Sequence, residues 1–358
     1  MTESWPRLAA LAATAVVLLT PPDTRAAEPQ IELWDGQRAM AHIADLLQFT
    51  PRSMGEPGHQ KTIDYIKAAM AKSAADAVLT QSFTAKADDG KAIPLTNIIA
   101  RFQIQNPRRV IVATHYDSII KAYRDPKSPD APMPGANNSA SAVALLLETA
   151  RVLSLSPKLD VGIDMIFFDG EEGPKSLGAG DPAWRALGSP HFAAHLKDYY
   201  PSRKPEKAVD FDMVCDKDLK LQPEPSSLTS ALPEVKKFWS IGSRIAPSAF
   251  SPEPTTFPIS DDHTALQAAG IPSFLVIDFD YEPYFNTTQD TIEQCSAQSL
   301  ESVGRTWRRY RSAPCAARRC ADRAPRIAAA RPCGSSVPMR RTWPCTSRSS
   351  TASSPDTV

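Results

Sequence analysis

The chain has no excess of charge of either sign. Lys plus Arg and Asp plus Glu number 40 each, so no net field draws it toward nucleic acid or an anionic membrane. It has no apolar run long enough for a bilayer span: the run from Leu8 to Leu19 falls short of the roughly 20 residues a spanning helix needs, and nothing later is longer. Nor is there a long polar tract of the kind that keeps a chain unfolded. Cysteine is scarce where a fold is legible. Of six, Cys315, Cys320, Cys333 and Cys345 fall in an aberrant C-terminal stretch. Cys215 and Cys295 remain, and the sequence leaves open whether they pair. What is plentiful is proline, 33 residues in 358 against a usual share of about 5%, which favours many ordered loops around a scaffold over long helices. With 42% apolar residues the chain is large enough for one sizeable core or two modest ones.

The two ends read differently from the middle. Arg7, the apolar run, Pro21-Pro22 and the small residues around Ala26-Ala27 have the layout of a cleaved export signal over residues 1–27, which places the mature protein in the periplasm or outside the cell, with no membrane span after signal removal. From Arg311 to the C-terminus the chain is rich in Arg, Ala, Ser and Pro, lacks Lys and shows no sustained period. Without aromatic interleaving it does not read as a nucleic-acid arm; residues 311–358 read as a disordered or out-of-frame tail. The folded domain is expected over 34–308.

Within that span apolar periods alternate. Ala41 to Leu47 and Lys61 to Met70 have helical spacing, and Ala77 to Phe83 and Asn97 to Phe102 read as a hairpin around Asp88-Asp89-Gly90. Val110 to Thr114, Ile163 to Phe168 and Ser273 to Ile277 read as buried strands. Ala140 to Leu153 reads as a helix whose Ala140, Val143, Ala144 and Leu147 pack on a sheet. Polar clusters follow the strands: His115-Tyr116-Asp117-Ser118, Asp169-Gly170-Glu171-Glu172 and Asp278-Phe279-Asp280. This is an α/β pattern with a site at the carboxyl edge of the strands. Adjacent carboxylates such as Glu171 and Glu172 project in different directions, so one can bind a cation while the other moves protons. His115 and Asp117, two apart at a strand end, suit a pair beside a metal. Each cluster alone is an ordinary surface feature; Asp212 and Asp261-Asp262-His263 would serve equally as caps or ion pairs.

In combination and order, His115 to Ser118, Gly135 to Ala140, Phe167 to Glu172, Phe211 to Val214, Asp261 to His263 and Tyr284 to Thr291 resemble the zinc exopeptidase family that includes bacterial aminopeptidases and glutaminyl-peptide cyclotransferases. The resemblance covers about residues 34 to 308. It implies a single open mixed sheet flanked by helices on both faces, a zinc cofactor, and peptide or protein N-termini as partners. It further implies Glu172 as a zinc ligand, Glu171 as general acid/base, and Asp212 and Asp261 as a carboxylate network beside it. Tyr281 and Phe285 would line an apolar substrate pocket. The long stretch from Glu172 to Gly188-Ser189-Pro190-His191 is similar to that of the cyclases.

Two positions depart from the family. Asn138 stands where the family has an Asp ligand and Asn286 where it has a His. Neutral amide oxygens are poor partners for zinc. In a two-metal arrangement His115 and Asp212 would remain on one side. Three readings stay open: a cyclase-like or aminopeptidase-like enzyme with an altered metal site, a catalytically inactive binder of peptide N-termini, and a decaying gene.

Overall fold

Strand β3 (Arg109–His115) and strand β4 (Gly162–Phe168) are buried along their whole length, as largely apolar strands covered on both faces are. A computed structural model describes residues 33–86, 90–156, 159–173 and 184–312 together with Met1. The export-signal reading of residues 1–27, residues Asp88-Asp89 of the predicted turn, and the tail from residue 313 lie outside the described residues.

Around β3 and β4 stand β1 (Ala77–Lys86), β2 (Ala92–Phe102), β5 (Lys207–Asp212) and β6 (Ser273–Ile277). The order across the sheet is β1-β2-β4-β3-β5-β6. β1 and β2 form the antiparallel hairpin, β2 joins β4 antiparallel, and β4, β3, β5 and β6 run parallel. The sheet is therefore single and mixed, as expected.

Because successive strand residues face opposite sides, each strand feeds two cores. Ile98, Val110, Val112, Ile163, Met165, Phe167, Val209 and Phe211 face one side. There α1 (Gly36–Leu47), α2 (Pro57–Lys72), α3 (Ala142–Ser154), α6 (Pro225–Ile245) and α8 (Ala297–Ser312) cover them with Ile43, Ile66, Val143, Phe238 and Trp307. Ile99, Ile111, Ala113, Ile166 and Phe168 face the other. Here α4 (Gly188–Ala194), α5 (Leu196–Tyr199) and α7 (Asp262–Ala268) supply Phe192, Leu196 and Leu266.

The loop after β3 leads to α3 on the first face, and the loop after β4 leads to α4 and α5 on the second. A crevice opens where two such chain paths part at the carboxyl ends of neighbouring strands. None of the described helices is long and apolar enough to cross a membrane. Cys215 and Cys295 form a disulfide, which closes the question the sequence left open.

One buried charge sits in this framework. Asp164, on the second face of β4, receives Arg101 Nε at 2.9 Å, Arg109 Nε at 3.0 Å and the Tyr200 hydroxyl at 2.7 Å, and it also pairs with Arg109 Nη2. Asp164 is fully buried and Arg109 nearly so. Removing one member of such a set leaves an uncompensated buried charge, at a cost of roughly 3–5 kcal/mol. Asp164→Ala is expected to lower the stability measured by urea unfolding by about that amount; a change under about 1 kcal/mol would contradict this reading of the ion cluster.

Candidate active site

β3 lies between β4 and β5, so what ends β3 is flanked by what ends its neighbours. In register His115 is opposite Phe168 and Ala113 opposite Asp210. The His115 ring consequently reaches both sides: Nε2 is 3.3 Å from Asp212 Oδ1, the last residue of β5, and 4.0 Å from Glu171 Oε2, just beyond β4. Ligand atoms of His115, Glu171 and Glu172 lie within 4.8 Å of one another. Asp261, the N-cap of α7, lies close enough to Asp212 and Glu171 for its charge to act on both. Asn138, in the π-helical turn Ala136–Ser141 that precedes α3, donates through Nδ2 to Glu172 Oε1 at 2.7 Å and to Asn286 Oδ1 at 3.4 Å. The seven residues that the resemblance assigned to catalysis and metal binding thus converge on one rim, all of them buried.

The backbone that carries them is held by other carboxylates. Asp117 accepts from the N–H groups of Gly170 at 3.0 Å and Glu171 at 3.1 Å through Oδ1, and from that of Glu172 at 3.2 Å through Oδ2. Asp290 does the same for the Asn138 turn, accepting from Asn137 N at 2.8 Å and Asn138 N at 3.1 Å, with the Tyr281 hydroxyl at 2.9 Å. The buried Arg52 ties the start of that turn to the end of β3, donating to Gly135 O at 2.6 Å and Tyr116 O at 2.8 Å. Gly135 sits at φ +70°, and a Cβ there would come within 2.3 Å of the Asn138 carbonyl oxygen, so only glycine lets the turn close this tightly.

Arg52 and Asp290 escaped the sequence reading. Asp290 belongs to the Thr287-x-x-Asp290 pattern that ends the resemblance, whereas nothing local marks Arg52. Tyr281 is fully buried with its hydroxyl on Asp290, and Phe285 is half-buried against Phe279 at 5.6 Å between ring centres. His263 turns away from the site, its Nε2 3.2 Å from Glu224 at the start of α6. A cavity of about 520 Å³ lies between α4 and α7, bordered by Trp184, Ser189, Thr264 and Ala268, and none of the seven converging residues lines it.

Burial sets the electrostatics. It raises the Glu171 carboxyl well above its usual range; His115 opposes this, while Asp261, Glu172 and Asp262 add to it. Burial likewise takes Glu172 up to about 8 and Asp261 to about 6, in the second case helped by Asp212. Burial pulls the His115 imidazole down, but Asp117, Asp212 and Glu171 more than offset it and leave the ring well above its ordinary value. Glu172 and Asp261 so raised exchange protons near neutral pH, and Glu171 is raised in the same direction, which is the sense of shift a general acid needs.

The fit to zinc differs between the two sides of Glu172. His115 Nε2 and Asp212 Oδ1 are buried and make no hydrogen bond. Their 3.3 Å separation is that of two ligands about 2.0–2.1 Å from a shared tetrahedral ion. That side fits. On the other side Asn138 and Asn286 offer neutral amides, and the Asn138 amide already donates to Glu172, so that donor set does not fit.

Comparisons with known proteins bear on the family and the fold. A sequence profile described as Peptidase family M28 matches residues 97–311. The aminopeptidase YwaD of Bacillus subtilis is 31% identical over 208 residues, which is 56% of this chain and 40% of YwaD. The glutaminyl-peptide cyclotransferase of Gloydius blomhoffii is 38% identical over 87 residues, 22% of this chain and 23% of the cyclotransferase. The chain thus spans well under two thirds of the length of these relatives. Among solved structures, a Zn-dependent exopeptidase from Parabacteroides distasonis superposes with a TM-score of 0.72 at 28% identity, covering 78% of this chain and 99% of that one. The glutaminyl cyclase of Tannerella forsythia superposes with a TM-score of 0.71 at 28% identity and the same coverage.

A carboxyl raised by folding stabilises the fold fully below its unfolded value and loses that contribution as pH rises through the folded one. Glu172, Asp261 and Asp290, raised to about 8, 6 and 6, place the window between about pH 4.5 and 8. Chelator-treated protein is expected to show a higher urea midpoint at pH 5.5 than at pH 8; an equal or lower midpoint at pH 5.5 would contradict the raised values.

Proposed function

Since the chain belongs to Peptidase family M28, we propose that it is an exported enzyme acting on peptide N-termini in the manner of a glutaminyl-peptide cyclotransferase, with Glu171 as general acid/base. The observation that carries this is the place of Glu171: buried among carboxylates, 4.0 Å from His115, on a turn fixed by Asp117. For a peptide beginning with Gln, the α-amine attacks the side-chain amide carbon and Glu171 takes the proton the nitrogen loses. Glu171 then returns that proton to the departing amide nitrogen, which leaves as ammonia as the ring closes. Burial, with Asp261, Glu172 and Asp262, keeps the Glu171 proton affinity high, Asp212 stands beside His115, and Phe285 offers an apolar wall beside the crevice.

Zinc, which His115 and Asp212 would hold, supplies Lewis acidity toward an amide oxygen when bound. The long segment between Glu172 and Gly188 and the cyclase superposition support cyclisation. The retained His115 and Asp212, with the likeness to YwaD, favour a second reading, hydrolysis of the N-terminal residue. Export is supported by the Cys215–Cys295 disulfide, a bond that persists in oxidising compartments.

Purified protein is expected to release ammonia from Gln-initiated peptides faster than it frees amino acids from aminoacyl amides. Glu171→Gln is expected to lower kcat by about 10²–10⁴ while peptide binding persists. Turnover equal to wild type in that variant would remove Glu171 from the chemistry, and exclusive amide hydrolysis would select the second reading.

A further inference from the structure

The ligand set on the far side of Glu172 is closed by hydrogen bonds in place of a metal. Asn138 Nδ2 lies 2.7 Å from Glu172 Oε1 and 3.4 Å from Asn286 Oδ1, and Asn286 Nδ2 donates to the Tyr123 hydroxyl at 3.2 Å. As placed, the Asn138 amide donates to two acceptors, Glu172 Oε1 and Asn286 Oδ1; turned over, it would set Oδ1 against Asn286 Oδ1 and, whenever Glu172 is ionised, against a carboxylate oxygen. An N–H therefore points at Glu172 where an ion would have to sit.

For an ion to enter, that bond must break and the Asn138 amide must turn its oxygen inward; the Asn286 oxygen already faces the cluster. What the ion would gain is one carboxylate and two neutral oxygens, with no imidazole and one negative charge fewer than an Asp, Glu, His set. Asp290 and Arg52 bond the backbone of the turn that carries Asn138. The substitutions have changed the donors and left the scaffold in place.

We propose that in this chain the Asn138–Glu172–Asn286 cluster is a metal-independent version of the family's ligand set. The Asn138 amide N–H supplies the positive partner of Glu172, and the capacity to bind zinc there is recoverable by Asn138→Asp with Asn286→His. This goes beyond the activity proposed above, and zinc content reads it whether or not the protein turns over a peptide.

The test is zinc stoichiometry by mass spectrometry after equilibration with micromolar zinc and gel filtration. It is carried out in the His115→Ala background so that an ion held by His115 and Asp212 is not counted. The His115→Ala chain is expected to carry no stoichiometric zinc, and the same chain with Asn138→Asp and Asn286→His about one ion, with a raised melting temperature in zinc. One ion per chain in His115→Ala, lost when Asn138 and Asn286 become Ala, would overturn the proposal. So would a folded triple variant that binds none. Should the triple variant fail to fold, the His115→Ala measurement decides by itself: absence of zinc supports the metal-independent cluster and full occupancy sustained by the two asparagines refutes it.

Discussion

The site depends on one carboxylate that does no chemistry. Asp117, two residues past the end of β3, accepts three consecutive backbone N–H groups from the turn after β4. A turn of this kind presents its N–H groups to one side, and burial would leave them costly if unpaired. By satisfying them, Asp117 locks the turn to the neighbouring strand and sends the Glu171 and Glu172 side chains toward His115. Without that lock the two glutamates would sit on a free loop, and no fixed relation to β3 or β5 would follow from the sheet alone.

Two kinds of buried acid result. Asp117, Asp290 and Glu224 have their oxygens occupied by backbone donors or by a histidine, and Glu224 is held down to about 2: burial pushes it up, but His263 and the Ser226–Ser227 cap outweigh this. Glu171, Glu172 and Asp261 are instead crowded by one another and pushed upward. The first group converts charge into fixed geometry, and the second uses that geometry to keep protons available near neutral pH. Donors hold Glu224 down, whereas burial raises Asp290 to about 6 despite its backbone donors.

What was legible in the sequence followed from continuous or periodic apolar runs. β3, β4 and β6 coincide with Val110 to Thr114, Ile163 to Phe168 and Ser273 to Ile277 to within a residue or so, because strands buried on both faces are largely apolar, the paired Asp164 of β4 being an exception. The polar clusters after them marked the site for the same reason, since a run that ends in His-x-Asp or Glu-Glu ends at the rim. α6 left no comparable trace: Pro225 opens it, Pro233 interrupts it, and Ala231 is non-helical, so its pattern is broken where its tertiary packing is not. The hairpin strands run longer than their alternation, to Lys86 and from Ala92, because partner hydrogen bonds carry them past the apolar stretch. Arg52 and Asp290 act across 83 and about 150 residues of chain, a separation at which no local spacing could announce them. The partnership of Asn138 with Glu172 was hidden for the same reason, although the substitution itself was in plain view.

The site divides into a side that suits an ion and a side closed by its own hydrogen bonds. It rests on Asp117 in turn, since both sides share Glu172. Hydrogen exchange of the Gly170, Glu171 and Glu172 amides, compared between wild type and Asp117→Ala, tests that dependence most directly. The account predicts wild-type protection approaching that of the β4 amides, and a selective loss at these three amides in the variant while β1 and β2 remain protected. Unchanged protection at all three in a folded Asp117→Ala protein would contradict it.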